Sequence, residues 1–354
     1  MSSISVNTIT DASGGATTSI NGFTPTVSNM AGRNRIINGD MRIDQRNAGA
    51  SVTPTSSGYT LDRYYCFMDA ASKYSVQQST NAPVGFTNSM LFTSTSAYTI
   101  GTGEAFGFRQ VIEGFNVADL GWGTANAKTV TLSFWVRSSL TGTFGGVIRN
   151  ASNNRTYPFT YSISTANNWE QKAITIAGDT SGTWLTTNGA GLAVQFGLGI
   201  DASISGTAGS WAGTGYWGAT GAINLLATSG ATFYITGVQL EEGSVATPFE
   251  HRQYGQELAL CQRYYYKHNG NWGNAYTSSN STSLGFTFKA TMRAQPTMDS
   301  GAAFFASTGS NGTPAVYAGT GTGSDGNSIY VYNSAGNWTA TAVIGLNAGF
   351  SAEL

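Results

Sequence analysis

Side chains able to do chemistry are scarce in this 354-residue chain, and their spacing excludes most catalytic and metal-binding arrangements. The two histidines, His251 and His268, rule out a multi-histidine metal site, and neither H-E-x-x-H nor C-x-x-C occurs. No serine sits in a G-x-S-x-G elbow with triad partners, and the strand-then-helix context that such an elbow needs is missing. G-x-G-x-x-G occurs twice, at Gly213/Gly215/Gly218 and at Gly321/Gly323/Gly326, but neither match opens a helix, so both read as turns. A carboxylate pair for glycoside hydrolysis stays open, since its members can be far apart in sequence; most of the 18 acids are expected to be solvated or capping. Cys66 and Cys261 are widely separated and lack paired spacing, which argues against a disulfide framework and allows assembly in a reducing cytoplasm. The expectation is a non-enzyme with no metal and no cofactor.

Binding chemistry is better supplied. The C–H face of a sugar stacks on an indole or phenol ring while neighbouring Asn, Thr and Ser hydrogen-bond its hydroxyls. Trp211, Tyr216, Trp217, Trp272, Tyr276 and Trp338 sit among Gly and Asn rather than in alternating runs, and are the candidates for carbohydrate or receptor contact. The same residues serve equally well as anchors of a subunit interface or as packing. Trp122, Trp135, Trp169 and Trp184 lie in or beside core strands and are expected to pack. Trp211, Tyr216 and Trp217 belong to residues 199–232, a Gly/Ala/Ser/Thr-dense stretch expected to be a long ordered excursion and the first candidate for contact with a partner.

The elements that would carry these residues are strands. Charged residues make up only 10% of the chain and Gly reaches 46 residues, so the surface is neutral and hydroxyl-rich. Hydrophobic residues at 40% and aromatics at 12% bury enough surface to offset the entropy of ordering. A formal charge of −1 excludes nucleic acid as a partner, and the absence of any run of 18 apolar residues excludes membrane insertion by a helix. The opening residues show no basic and apolar export signal. Residues 1–32 have scattered apolar side chains without a period and read either as an extended arm that orders on another subunit or as a tail that stays unordered.

From Arg35 onward short alternating runs separated by Gly, Asn and Pro predict a sandwich or barrel. Leu132, Phe134 and Val136 share one face of a strand, as do the apolar residues of Leu192 to Leu198. Further strands are predicted over Leu61 to Phe67, Lys73 to Gln78, Ser89 to Thr95, Phe106 to Ile112, Gly145 to Arg149, Thr160 to Ile163, Glu170 to Ile176 and Phe233 to Leu240. The window Gln256 to Arg263 predicts a short helix acting as a hinge. Beyond it Tyr264 to Tyr266, Leu284 to Thr291, Ala302 to Ala306, Ala315 to Ala318, Ile329 to Tyr332 and Ala340 to Ile344 predict a second, smaller β domain.

Four segments in order, Arg35 to Asn47 (RIINGDMRIDQRN), Tyr59 to Tyr64 (YTLDRY), Val130 to Arg137 (VTLSFWVR) and Ala231 to Glu242 (ATFYITGVQLEE), resemble the phage tail-fibre and structural-protein family built on a carbohydrate-binding-module jelly roll. Gly243 to Glu250 (GSVATPFE) looks like the phage subset. Arg263 to Lys267 and Met292 to Thr297 look like the β domain that often follows in such proteins. The chain is expected to be all-β: the resemblance, over about residues 33–250, implies an antiparallel jelly-roll sandwich at 33–250, while position and composition give an extended arm at 1–32 for virion attachment, a short helical linker at 251–263 and a C-terminal β domain at 264–354 that presents a receptor-binding tip. The resemblance further implies a structural or adhesive role on the exterior of a phage particle, as a homotrimer, and the cysteine usage allows assembly in the host cytoplasm. Other tail or adaptor proteins would be held through residues 1–32, with host surface glycan as the ligand. A capsid decoration or fibre-adaptor protein without glycan binding, and a polysaccharide depolymerase, are the alternatives. Cellulose- and xylan-binding relatives often hold a structural calcium; Asp40 remains, but Thr236 and Gly237 stand where the family's acid pair would be, so that site is not carried over.

Overall fold

The computed structural model describes residues 32–272, 276–278, 281–294, 296–299, 303–306, 319–322, 328–333 and 344–354. The expected arm lies outside this set apart from Gly32, as do Trp338 and the strand expected over Ala315 to Ala318.

The alternating runs fold into β1 (Gly58–Leu61), β2 (Tyr64–Met68), β3 (Tyr74–Ser79), β4 (Ser89–Ser94), β5 (Ala105–Glu113), β6 (Val130–Ser138), β7 (Gly142–Arg149), β8 (Thr156–Ile163), β9 (Glu170–Ile176), β10 (Ala190–Ile200), β11 (Ser205–Gly206), β12 (Gly218–Ala219) and β13 (Thr232–Glu242). Two antiparallel sheets result, in the orders β1-β2-β5-β10-β7-β8 and β3-β4-β13-β6-β9. Successive strands repeatedly change layer, from β2 to β3, β4 to β5, β5 to β6 and β6 to β7, which makes the sandwich a jelly roll. Leu132, Phe134 and Val136 of β6 and Leu192, Val194, Phe196 and Leu198 of β10 are all buried in the gap. Between the layers Phe108 stacks on Phe92 of the opposite sheet at 4.7 Å and on Phe196 at 5.1 Å, so aromatic rings fill the centre.

One strand was expected over Leu61 to Phe67, and the structure divides it. Arg63 adopts φ +72° in a tight turn between β1 and β2, while its side chain is buried under the C-terminal residues. The segment before β1 is held by side-chain amides. The Asn34 Oδ1 accepts from the backbone N–H groups of Ile36 and Leu240, and Asn38 closes a loop on Ile43 from both its amide atoms. Gly39 passes so near β13 that a Cβ there would lie 2.2 Å from the Val238 carbonyl oxygen.

The helix α1 (Tyr254–Gln262) forms as expected but is anchored rather than a free hinge. Cys261 packs with Ile37, Ile43 and Tyr264, and the Glu257 carboxylate accepts from the Asn38 N–H and pairs with Arg252 at 3.4 Å. Beyond it come β14 (Tyr265–Trp272), β15 (Tyr276–Ser278), β16 (Ser281–Thr287), β17 (Thr297–Met298), β18 (Ala303–Ala306), β19 (Gly319–Thr322), β20 (Ser328–Asn333) and β21 (Ile344–Ser351). They form β14-β21-β17, with β18 also on β21, and a second sheet β15-β16-β20-β19. This smaller β unit is tied to the outer side of the six-stranded sheet. Arg263 and the Tyr264 hydroxyl both reach Glu113, at 2.7 and 2.8 Å, and Glu353 pairs with Arg46 at 3.0 Å and with Arg63.

Candidate functional site

Because Leu132, Phe134 and Val136 point inward, Ser133 and Trp135 must point out of the five-stranded sheet. Trp135 is half-buried there, opposite Gln171 on β9 and Thr236 on β13. A bulge follows Thr236, and Gly237 takes φ +61°. A Cβ on Gly237 would lie 2.7 Å from the Phe86 ring and 3.1 Å from the Trp135 ring, so glycine is what lets both rings close over the bulge. Thr236 donates its hydroxyl to the Asn88 carbonyl at 2.7 Å. Thr236 and Gly237 therefore shape the sheet here, and Asp40 pairs with Arg42.

Two segments wall this floor. On one side the turn after Pro83, closed by Phe86 N–H on the Pro83 carbonyl at 3.0 Å, delivers Phe86. On the other, residues 246–251 are fixed by the Glu241 carboxylate, which accepts from the Thr247 N–H at 2.8 Å and its hydroxyl at 2.5 Å. The Glu250 N–H then donates to Gln239 Oε1 at 2.8 Å. Phe249 and His251 are thereby set against Phe86, with ring centroids 4.9–5.3 Å apart. The space enclosed is a groove of about 480 Å³ floored by Ser133, Trp135, Gln171 and Gly237. On the same sheet face Tyr234 meets Trp169 edge-on at 6.0 Å and carries the Arg137 guanidinium at 5.0 Å.

The groove suits an uncharged, hydroxyl-bearing ligand. Its rings offer apolar faces, Ser133, Gln171, Thr247 and His251 offer hydrogen-bonding groups, and its lining includes no carboxylate. A hydrolytic cleft would need two carboxylates facing each other across the ligand. Among the described residues no group of three or more His, Cys, Asp or Glu side chains gathers in a metal-holding arrangement.

No protein-family model matches the sequence, and no curated protein matches it. Solved structures do. The chain is similar to the enzymatically active domain of tailspike protein 4 from bacteriophage CBA120, at 14% identity and TM-score 0.30, over 59% of this chain and 21% of that one. It is similar to the CBM22-1 xylan-binding domain from Paenibacillus barcinonensis Xyn10C, at 10% identity and TM-score 0.28, over 56% and 99%. A family 11 carbohydrate-binding module from Clostridium thermocellum, in complex with a β-1,3-1,4-mixed-linked tetrasaccharide, is similar at 13% identity and TM-score 0.27, over 52% and 91%. The chain thus spans about a fifth of the tailspike domain, and likenesses at these identities concern layout alone.

Of the aromatics expected from sequence to bind, Trp211, Tyr216 and Trp217 do not line this groove. Trp211 turns inward, meeting Trp122, Trp184 and Tyr157 edge-on at 5.2–5.5 Å and donating its indole N–H to the Ala177 carbonyl at 2.7 Å. Tyr216 lies across Gly206, where a Cβ would be 2.3 Å from its ring. Trp217 covers the outer face of the six-stranded sheet, edge-on to Phe67 at 5.5 Å. Trp272 is placed in β14 opposite Ile344 and Tyr276 in β15 opposite Ser283, and Trp338 falls outside the described residues. Of the tryptophans expected to pack, Trp122 and Trp184 do so, whereas Trp135 and Trp169 stand on the outer sheet face. The alternation around Trp135 carried that signal.

Proposed function

We propose that this chain is a bacteriophage virion protein, a tail fibre or tail adhesin, that contacts a host surface glycan through the groove and does not cleave it. The observation that carries the reading is the pairing of three aromatic rings, Phe86, Trp135 and Phe249, with a lining free of carboxylates. Stacking surfaces beside hydrogen-bonding side chains bind sugars, and without opposed acids a glycosidic bond is held rather than hydrolysed. The virion role, a homotrimeric state and a place on the particle exterior are supported by the motif string from Arg35 to Glu250, and attachment to tail or adaptor proteins through residues 1–32 by the position and composition of that segment.

A glycan array probed with the full chain and with Trp135→Ala tests the reading. Expected is binding to at least one neutral saccharide that Trp135→Ala weakens about tenfold or more, with an unchanged melting temperature. A blank array for the wild-type protein overturns it in favour of a decoration or adaptor role. Mass measurement in solution at micromolar concentration is expected to give a trimer, and a monomer would refute that part.

A further inference from the structure

The outer face of the six-stranded sheet holds a second constellation of different chemistry. Arg109 on β5 and Arg149 on β7 lie on either side of β10, with Gln195 directly opposite Arg109 and Ala193 opposite Arg149. Period two therefore puts Arg109, Gln195 and Arg149 on one surface. Other arginines that are buried or partly buried find oxygen partners: Arg46 and Arg63 share Glu353, Arg155 holds Asp179 at 2.6 Å, Arg263 holds Glu113 at 2.7 Å, and Arg293 donates to backbone carbonyls. Arg149 is only 9% exposed, yet neither its side chain nor that of Arg109 makes an ion pair or hydrogen bond among the described residues.

What surrounds them is aromatic. The Arg109 guanidinium lies 4.7 Å from the Tyr65 ring centroid, and that of Arg149 lies 4.9 Å from Trp217. Both Nε atoms are sealed from solvent without a partner, as is Gln195 Oε1, whose amide nitrogen donates to the Trp217 carbonyl at 2.6 Å. Burial, and then the nearby Arg109 charge, push the Arg149 guanidinium down to about 10. Cation–π contact offsets only part of the cost of two neighbouring, desolvated like charges.

We infer that Arg109 and Arg149 form a second saccharide site, separate from the groove, which takes a carboxylate-bearing sugar of the uronic or sialic acid type. The two guanidiniums present terminal N–H donors that match a carboxylate, and Tyr65 and Trp217 supply ring surface for the sugar's C–H face. A ligand with an anion and an apolar face satisfies both at once.

Titration calorimetry of the full chain with trigalacturonate, a hyaluronan tetrasaccharide and α2,8-linked trisialic acid, with cellotriose as the neutral control, tests the site. Expected is binding of at least one acidic probe that falls about tenfold or more in Arg109→Gln and in Arg149→Lys, the latter keeping the charge but losing the fork. Trp135→Ala leaves that binding unchanged, so failure here and failure of the groove are told apart. Arg149→Met is expected to melt at or above the wild-type temperature, since it removes an unpaired buried charge. No binding of any acidic probe, equal binding by the arginine variants, or a lowered melting temperature for Arg149→Met would overturn the inference. So would arginine-dependent self-association without sugar, which would give the site to an acid of a second copy.

Discussion

Replacing Glu353 by alanine would remove one carboxylate that serves two buried arginines. Glu353 Oε1 accepts from Arg46 at 3.0 Å and Oε2 pairs with Arg63, whose side chain is 1% exposed against 4% for Glu353. Arg63 has no route to water: it lies flat on the Tyr264 ring at 3.5 Å and donates to the Val111 carbonyl at 2.5 Å. Without the carboxylate two positive charges stay in a dry junction, and breaking a buried pair from one side costs about 3–5 kcal/mol. At about 2–4 °C per kcal/mol for a domain of this size, the melting temperature is expected to fall by about 6–20 °C. Thermal unfolding followed by circular dichroism reads this directly. The double variant Glu353→Ala/Arg63→Met should recover part of the loss, because it removes a charge together with its partner. A Glu353→Ala protein that melts within about 2 °C of wild type would refute the reasoning, since the tail would then be held by packing and backbone bonds alone.

Three further outcomes follow from single side chains. Burial pushes the Asp62 carboxyl from 3.8 up to about 7, against the lowering effects of Arg46 and of hydrogen bonds from Gln45. Its folded value lies above its unfolded one, so its contribution is complete below about pH 4 and is lost as pH rises through about 7. Stability should fall by a few kcal/mol, roughly, between those limits; urea titrations at pH 5 and pH 8 should show the fall in wild type and not in Asp62→Asn. Trp211→Ala should cost on the order of 3 kcal/mol in urea denaturation while leaving binding of neutral glycan intact, and a loss of binding in a stable protein would show that Trp211 is a contact residue after all. Gly237→Ala forces an L residue into the left-handed region, at about 1–2 kcal/mol, and its methyl meets Phe86. Glycan affinity should drop more in Gly237→Ala than in Thr247→Ser, which keeps its hydrogen-bonding oxygen; equal affinities would separate the bulge from the groove's shape.

The sandwich was legible in the sequence because its signal is local. Period-two burial fixes which side chains enter the gap from a handful of neighbours, and Glu170–Ile176 emerges with the boundaries expected. The Leu61 to Phe67 run fails on the same logic. Its alternation is real, but Arg63 is turned to positive φ where its side chain meets Glu353, a residue 290 positions away. Site residues were less legible for a related reason. Trp211 and Trp217 lie six positions apart in one Gly-rich excursion without a period, and only the packing of Trp122 and Phe67 sends one inward and the other across a sheet. Trp135 differs: its place in a core strand suggests packing, whereas the parity of Leu132, Phe134 and Val136 puts it on the outer face. The groove draws on residues 84–86, on Ser133, Trp135, Gln171 and Gly237, and on residues 246–249 with His251, and the arginine pair on two strands that a third separates, so neither surface exists until the strands of its own sheet are registered. Parity within a strand says which side chains reach a face, and only register between strands says which of them meet there.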